Sequence, residues 1–286
     1  VSYDANDYRQ ASLEGWEAAA SGWSRRQEAI REFGAPVSHW MLDATCPQPG
    51  ERVLELAAGL GETGMLAAEL VAPLGGLVVS DQAEAMLDGA RKRAIALGLS
   101  NVEFQVLNAE WIDLPLASVD VVLCRWGYML MADPGAALGE TRRVLRPGGR
   151  LALAVWDSLE LNPWARLPAQ ELIARGLTSK PDPQAEPPPG PFVLGEQRRV
   201  QDLLEQAGFA EVHVESMVLT RRHSDFDDFW DVTLDLSRDF HDAVLSRPAT
   251  EIERIKSSLA ERFAPYTDAD GTLAIPARTL LASASA

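Results

Sequence analysis

From Arg52 onward the chain alternates short apolar runs with amphipathic segments of helical period, and this alternation constrains the fold more than any other feature. The runs are Arg52-Val-Leu-Glu-Leu56, Leu77-Val-Val-Ser80, Val102-Glu-Phe-Gln-Val-Leu107, Val119-Asp-Val-Val-Leu-Cys124 and Arg150-Leu-Ala-Leu-Ala-Val-Trp156. Helical stretches lie between them near 63–71, 83–97 and 134–145. In the second, Met86, Ala90, Ala94 and Leu97 form an apolar face, and Gly98 is a suitable stop. Strands that are apolar throughout need cover on both faces, and helices between parallel strands supply it. The expected fold is therefore doubly wound α/β, with a mostly parallel sheet.

The flanks depart from this rhythm. In residues 1–45, Trp16, Ala19, Ala20, Trp23, Gln27 and Ile30 fall at helical spacing and are expected to share one face. The proline-rich stretch Pro181–Pro191 cannot be helix or central strand and reads as an extended surface loop. The α/β pattern then resumes with a helix over Val200–Ala207, a stop at Gly208, and a strand over Val212–Leu219. In that strand Val212, Val214, Ser216 and Val218 are expected on one face, with His213 on the other. Phe226, Phe229, Trp230, Thr233 and Phe240 form a further helical stripe. The segment from Gly271 to Ala282 reads as a late strand, its proline at an edge or bulge.

One stretch carries chemistry. In Val53-Leu-Glu-Leu-Ala-Ala-Gly-Leu-Gly-Glu-Thr-Gly64 an apolar strand runs into a glycine turn and then a helix, and Gly59, Gly61 and Gly64 satisfy G-x-G-x-x-G. Asp81 ends the next strand about 20 residues on, where a ribose-binding acid is expected. Glycines allow a tight turn and close approach of backbone to a ligand. The pattern alone admits either a dinucleotide or S-adenosylmethionine. Charge separates them. A pyrophosphate would sit at the helix N-terminus, yet Glu55 and Glu62 flank the turn and would repel it in a site of reduced dielectric. The ammonium and sulfonium of S-adenosylmethionine are attracted by the same carboxylates. A nicotinamide-dependent oxidoreductase stays as the alternative, as does a protein of this fold with a non-methyl or non-catalytic role.

Bulk composition narrows the partners. The 42 acidic residues against 26 basic ones give a net charge of −16, which repels phosphate backbones and acidic lipid, so nucleic acid and membranes are not expected as partners. The first residues do not read as a signal peptide, and no apolar run approaches the ~18 residues of a membrane helix. Two cysteines, Cys46 and Cys124, are too few for a disulfide framework, and no metal site is expected. A cytoplasmic protein is expected, with oligomeric state, a homodimer included, left open.

Four blocks in order carry a resemblance: Val53-Leu-Glu-Leu-Ala-Ala-Gly-Leu-Gly, Ser80-Asp-Gln-Ala-Glu-Ala-Met-Leu, Asn108-Ala-Glu and Arg143-Val-Leu-Arg-Pro-Gly-Gly-Arg-Leu. With them, residues 16–156 resemble the class I S-adenosylmethionine-dependent methyltransferases, near the ubiquinone/menaquinone C-methyltransferase group. The resemblance implies a seven-stranded Rossmann-like sheet whose last strand is antiparallel, Leu273–Leu281 suiting that strand. It also implies a division into an N-terminal helical lid segment (1–45), a nucleotide-binding core (46–157), a lid insertion (158–199), a core continuation (200–223), a helical substrate cap (224–268) and a final strand (269–286).

Carried over position by position, Glu55 and the Ala57–Gly61 backbone, with Gly59 and Gly61, meet the methionine portion of the cofactor. Asp81 holds the ribose hydroxyls, Gln82 and Met86 line the sugar and adenine side, and Asn108, Ala109 and Glu110 edge the adenine. Arg125 lies by the amino-acid end. Tyr128, Trp23 and Trp126 are the candidates for contact with a small-molecule methyl acceptor. The third block usually begins with aspartate, where this chain has Asn108, whose carbonyl oxygen can accept from an adenine amino group. Methyl transfer from a sulfonium is an in-line displacement that chiefly needs alignment and exclusion of water, so no catalytic residue is assigned. Among the histidines, His213 and His223 are expected to be solvated and His39 and His241 to lie in lid helices.

Overall fold

The structure, a computed structural model, describes residues 4–180 and 187–286. In chain order its elements are α1 (Ala5–Arg25), α2 (Gln27–Thr45), β1 (Arg52–Glu55), α3 (Glu62–Val71), β2 (Gly76–Asp81), α4 (Glu84–Leu97), β3 (Val102–Val106), β4 (Val119–Arg125), α5 (Pro134–Val144), β5 (Leu145–Trp156), α6 (Pro163–Ala174), α7 (Gln197–Gln206), β6 (Ala210–His223), α8 (Phe226–Leu236), α9 (Arg238–Leu245), α10 (Ala249–Phe263) and β7 (Leu273–Ser285). Seven strands form one sheet in the order β3-β2-β1-β4-β5-β7-β6. β7 runs antiparallel to both its neighbours, and the pairs among β1 to β5 are parallel.

The central strands are where the sequence is most apolar. Val53, Leu54, Val79, Val121, Val122 and Leu123 are buried, as strands covered on both faces require. Local signals set the helix ends. Asp133 caps α5 by accepting from the Ala136 amide at 2.9 Å, with Pro134 in the first turn. Gly98 closes α4 in the left-handed conformation. Leu97, expected inside, is exposed; it occupies the last helical position, where the chain turns off the sheet.

β6 and β7 outrun the rest of the sheet. Pairing of β7 with β5 ends at Trp156 opposite Thr279, whereas pairing with β6 continues to His223 opposite Leu273. Pro276 lies in this extension, where β7 has one strand neighbour, so its missing N–H interrupts no second ladder. On the extension rests a second apolar cluster that includes Leu167 and Leu172 of α6, Phe229 and Trp230 of α8, Phe240 and Val244 of α9, and Ile255, Leu259 and Phe263 of α10. The two helical excursions thus pack on each other over the carboxyl edge of the sheet. This second cover also corrects the expected face of β6. Val212 and Val214 are half-buried, but Ser216 and Val218 are exposed, and Met217, Leu219 and His223 turn inward. His223, expected in solvent, is buried with Nδ1 3.1 Å from Asp228.

The N-terminal helices do not continue through one another. Arg26 stands between them, so the expected single stripe is divided; Ala20 on α1 and Ile30 on α2 are both buried. Residues 181–186 of the proline-rich stretch lie outside the described residues, and the remainder to 191 is neither helix nor strand. No helix is long and apolar enough to cross a membrane among the described residues.

Candidate functional site

β1 ends at Glu55, and the chain then turns sharply through three residues of positive φ: Ala57 (47°), Gly59 (55°) and Gly61 (77°). Two are glycines, for which this region is inexpensive; Ala57 is a local strain held by its neighbours. The Ala58 amide donates to the Ser80 carbonyl, and the Gly59 amide to Asp81 Oδ2, both at 2.9 Å. Asp81 Oδ1 accepts from the Ala83 amide at 3.0 Å. One carboxylate at the tip of β2 therefore fixes both the glycine turn and the start of α4. Burial raises the Asp81 pKa, and these backbone amides oppose the rise.

The turn borders a cleft at the carboxyl ends of β1, β2 and β4, with about 970 Å³ of atom-free space including its mouth. Glu55, Ala57, Gly59, Asp81, Gln82, Met86, Asn108, Ala109, Glu110, Arg125, Trp126 and Trp23, all expected from sequence, line it. Two expected residues do not. Gly61 instead begins α3 as its N-cap. Tyr128 is buried behind the wall, its hydroxyl 2.6 Å from Thr141 Oγ1. Burial raises its pKa well above the usual phenol value, so it is a packed, neutral group.

The polar end of the cleft is unusual electrostatically. Glu55 and Glu62 are buried, and one oxygen of each, Oε2 and Oε1 respectively, has no hydrogen-bond partner among the described residues. The backbone amides of Gly64 and Thr63 support the Glu55 carboxyl, yet burial pushes its pKa up to about 8. Burial raises that of Glu62 as well, although Arg125 NH2 lies 3.1 Å from its Oε2. Arg125 is itself buried and its NH1 is unpartnered; its guanidinium lies 5.0 Å from the Trp126 ring centroid. Three buried polar groups of mixed sign thus converge with hydrogen-bonding capacity left over, which is costly unless a ligand uses it. Trp23 Nε1 is a fourth buried polar atom without a hydrogen-bond partner among the described residues, and like Arg125 NH1 it is a donor.

α1 forms the roof. Arg9 donates to Glu110 Oε2 from Nε at 3.1 Å and NH2 at 2.6 Å, and Glu110 Oε1 accepts from the Ala132 amide. Ser12 Oγ accepts from Gln82 Nε2 at 3.0 Å, and the Glu17 carboxylate receives the Glu84 and Ala85 amides at the start of α4. Tyr8, Ser12 and Trp16 consequently line the cleft, although no sequence expectation included them. The seven-residue spacing of Trp16 and Trp23, whose rings meet edge to face at 5.4 Å, was the available signal. The Asn108 side-chain carbonyl is partly committed, accepting from the Glu110 amide at 2.9 Å. Trp126 adopts a positive φ of 60° and donates from Nε1 to Thr279 Oγ1 at 3.0 Å, which fixes its ring against the cleft. None of the four histidines lines it.

A family model described as a methyltransferase domain matches residues 47–208. Nocamycin O-methyltransferase from Saccharothrix syringae is 32% identical over 187 residues, covering 63% of this chain and 67% of that protein. The ubiquinone/menaquinone C-methyltransferase of Hahella chejuensis is 37% identical over 111 residues, covering 38% and 45%. The chain thus spans about two thirds of the first of these relatives and less than half of the second. The crystal structure of the YcgJ protein from Bacillus subtilis shares the fold with a TM-score of 0.58 at 20% identity, over 87% of this chain and 97% of that one.

Proposed function

Because this chain belongs to the class I S-adenosylmethionine-dependent methyltransferases, we propose that its cleft binds S-adenosylmethionine and delivers the methyl group to a small-molecule acceptor. The observation that carries this reading is the set of unsatisfied buried atoms. Glu55 and Glu62 offer carboxylate oxygens suited to an ammonium, and Arg125 NH1 offers a donor suited to a carboxylate. Together they match the two ends of an α-amino acid. A pyrophosphate offers no cation to draw out the charge of these buried carboxyl groups, and it would repel whichever of them stayed ionised.

In this reading Glu55, Arg125 and the Ala57 and Gly59 backbone hold the amino-acid portion. Asp81 accepts from the ribose hydroxyls on the lone pairs its two amide bonds leave free. Gln82 and Met86 flank the sugar, and Asn108, Ala109 and Glu110 edge the base. Asn108 meets the base mainly through its amide N–H groups, because its carbonyl serves its own turn. When bound, the sulfonium supplies an activated methyl group for in-line displacement. The protein's part is alignment and exclusion of water, with α1 closing the roof and Trp23 and Trp126 facing the acceptor side. No side chain is assigned as general base.

Titration calorimetry tests the binding half. S-adenosylmethionine and its demethylated product are expected to bind with one-to-one stoichiometry, and NAD not at all. Incorporation of labelled methyl into a panel of hydroxylated and amino aromatic compounds tests the transfer half. Binding of NAD in place of the sulfonium nucleotide would overturn the assignment.

A further inference from the structure

Arg221 lies on the β6 extension, on the inward face with Leu219 and His223. Its guanidinium carbon sits 4.5 Å from the Trp164 ring centroid on α6 and 5.1 Å from that of Phe33 on α2. The acid paired with the neighbouring His223 is committed elsewhere. Asp228 is shared between His223 at 3.1 Å and Arg26 at 3.6 Å, and Arg221 makes no ion pair among the described residues. The residue as a whole is half-buried, and none of its nitrogens is among the fully enclosed side-chain atoms without a partner. Desolvation, with no carboxylate to oppose it, pulls its pKa down to about 10, which still leaves it charged at neutral pH. In a chain with 42 acids, a cation enclosed by rings and given no acid is a charge awaiting a partner.

The rings around it lead to the cleft. Phe33 stacks on Trp126 at 5.8 Å and on Trp156 at 6.1 Å, and Trp126 and Trp156 lie nearly parallel, 4.5 Å apart. Trp126 lines the cleft, and Arg221 lies beyond that lining, on the far side of Phe33 in the same aromatic group. Flat rings favour a flat aromatic guest. A guanidinium laid against rings keeps its in-plane N–H groups for forked bonds to a carboxylate.

Building on the methyl-transfer reading, we propose that Arg221 is the anion receptor of the acceptor subsite, and that the acceptor is a planar aromatic compound of at least two rings bearing a carboxylate remote from the methylated atom. Arg221 is a specificity-determining residue in this scheme. It takes no part in the displacement.

The test uses one-, two- and three-ring aromatic hydroxycarboxylic acids, each paired with its neutral carboxamide, titrated into protein saturated with S-adenosylhomocysteine. The two- and three-ring acids are expected to bind at least tenfold more tightly than their amides. Arg221→Gln should abolish that preference while leaving nucleotide affinity unchanged, and Arg221→Lys should restore part of it. Arg221→Met should melt no lower than the parent, since an unpaired charge is removed. Equal binding of acid and amide, no binding of any acid, or a preference that survives in Arg221→Gln overturns the proposal. Failure of the nucleotide itself to bind is a separate result and strikes the methyl-transfer reading instead.

Discussion

At the scale of single residues, Glu55 makes the sharpest statement about the ligand. Its folded-state pKa of about 8 lies above the ordinary 4.5, so the folded ligand-free chain holds a proton there that the unfolded chain has released. By linkage, Glu55 lowers stability progressively as pH rises from 4.5 to about 8. An ammonium placed against Oε2 reverses the preference and expels the proton. Affinity for S-adenosylhomocysteine should therefore rise between pH 6 and 8, by up to about tenfold per unit. Above about pH 8 the Glu55 carboxyl is already ionised without ligand, so binding releases no further proton and the rise should stop. Calorimetry near pH 7 in two buffers of different ionisation enthalpy should show close to one proton released. Glu55→Gln should flatten the pH profile and remove the proton release. A flat profile with no buffer dependence in the parent protein would show that no cation meets this carboxyl. Burial raises the Asp81 pKa as well, against the opposing bonds from the Ala83 and Gly59 amides.

At the scale of elements, α1 offers a comparison within one helix. Gly15 sits mid-helix with nothing within 4 Å of where a Cβ would stand, so Gly15→Ala should gain about 0.5–1 kcal/mol from backbone entropy. At Gly22 the same Cβ would run into the backbone carbonyl of Asp235 on α8, which cannot swing aside as a side chain can. That carbonyl belongs to the residue that Arg25 and Arg26 grip at 2.5 and 2.7 Å. Gly22→Ala should cost about 1–3 kcal/mol as overpacking and should speed proteolytic cleavage within α1. Thermal unfolding and limited proteolysis of the two variants check this, and a shift of the same sign in both would refute the docking of α1 on α8. The sequence disclosed the elements better than their surroundings. β1, β2, β4 and β5 were legible because buried parallel strands are apolar throughout, and the charge of Glu55 and Glu62 beside the turn favoured a cationic sulfur nucleotide over a pyrophosphate. The break at Arg26 carries neither glycine nor proline, so helical period alone could not locate it. Val218 and His223 were placed on the wrong side because which face of β6 is covered depends on α6 and α8, remote in sequence. Tyr128 was read from its position after β4, but its hydroxyl finds Thr141 on α5, a contact that adjacency to the glycine turn cannot reveal.

At the scale of the whole molecule, two apolar clusters of different reach set how the protein can move. One fills the sheet from α2 through β7, and the other joins α6, α8, α9 and α10 over the extended ends of β6 and β7. α1 belongs to neither. It packs through Trp16, Ala20 and Trp23 on a small group with Leu60, Ala83 and Met86, and is otherwise held by polar bonds to Glu110, Gln82, the start of α4 and Asp235. Few apolar contacts and many solvent-facing polar ones mark a segment that opens without global unfolding. A nucleotide in the cleft lies between this roof and the sheet, and so adds contacts to α1 that the open form lacks. Hydrogen exchange should therefore slow on addition of S-adenosylhomocysteine by two different amounts. Amides of β1, β2 and β4, which exchange only by global unfolding, should gain the binding free energy alone, about 2.7 kcal/mol at a hundredfold excess over Kd. Amides of α1 should change from exchanging through local opening to sharing that global limit, a larger increase. α7, which packs against α5 and β6 and contributes no lining residue, should show no local gain. If protection rose equally in α1 and α7, the cleft beneath α1 would not be where the nucleotide binds.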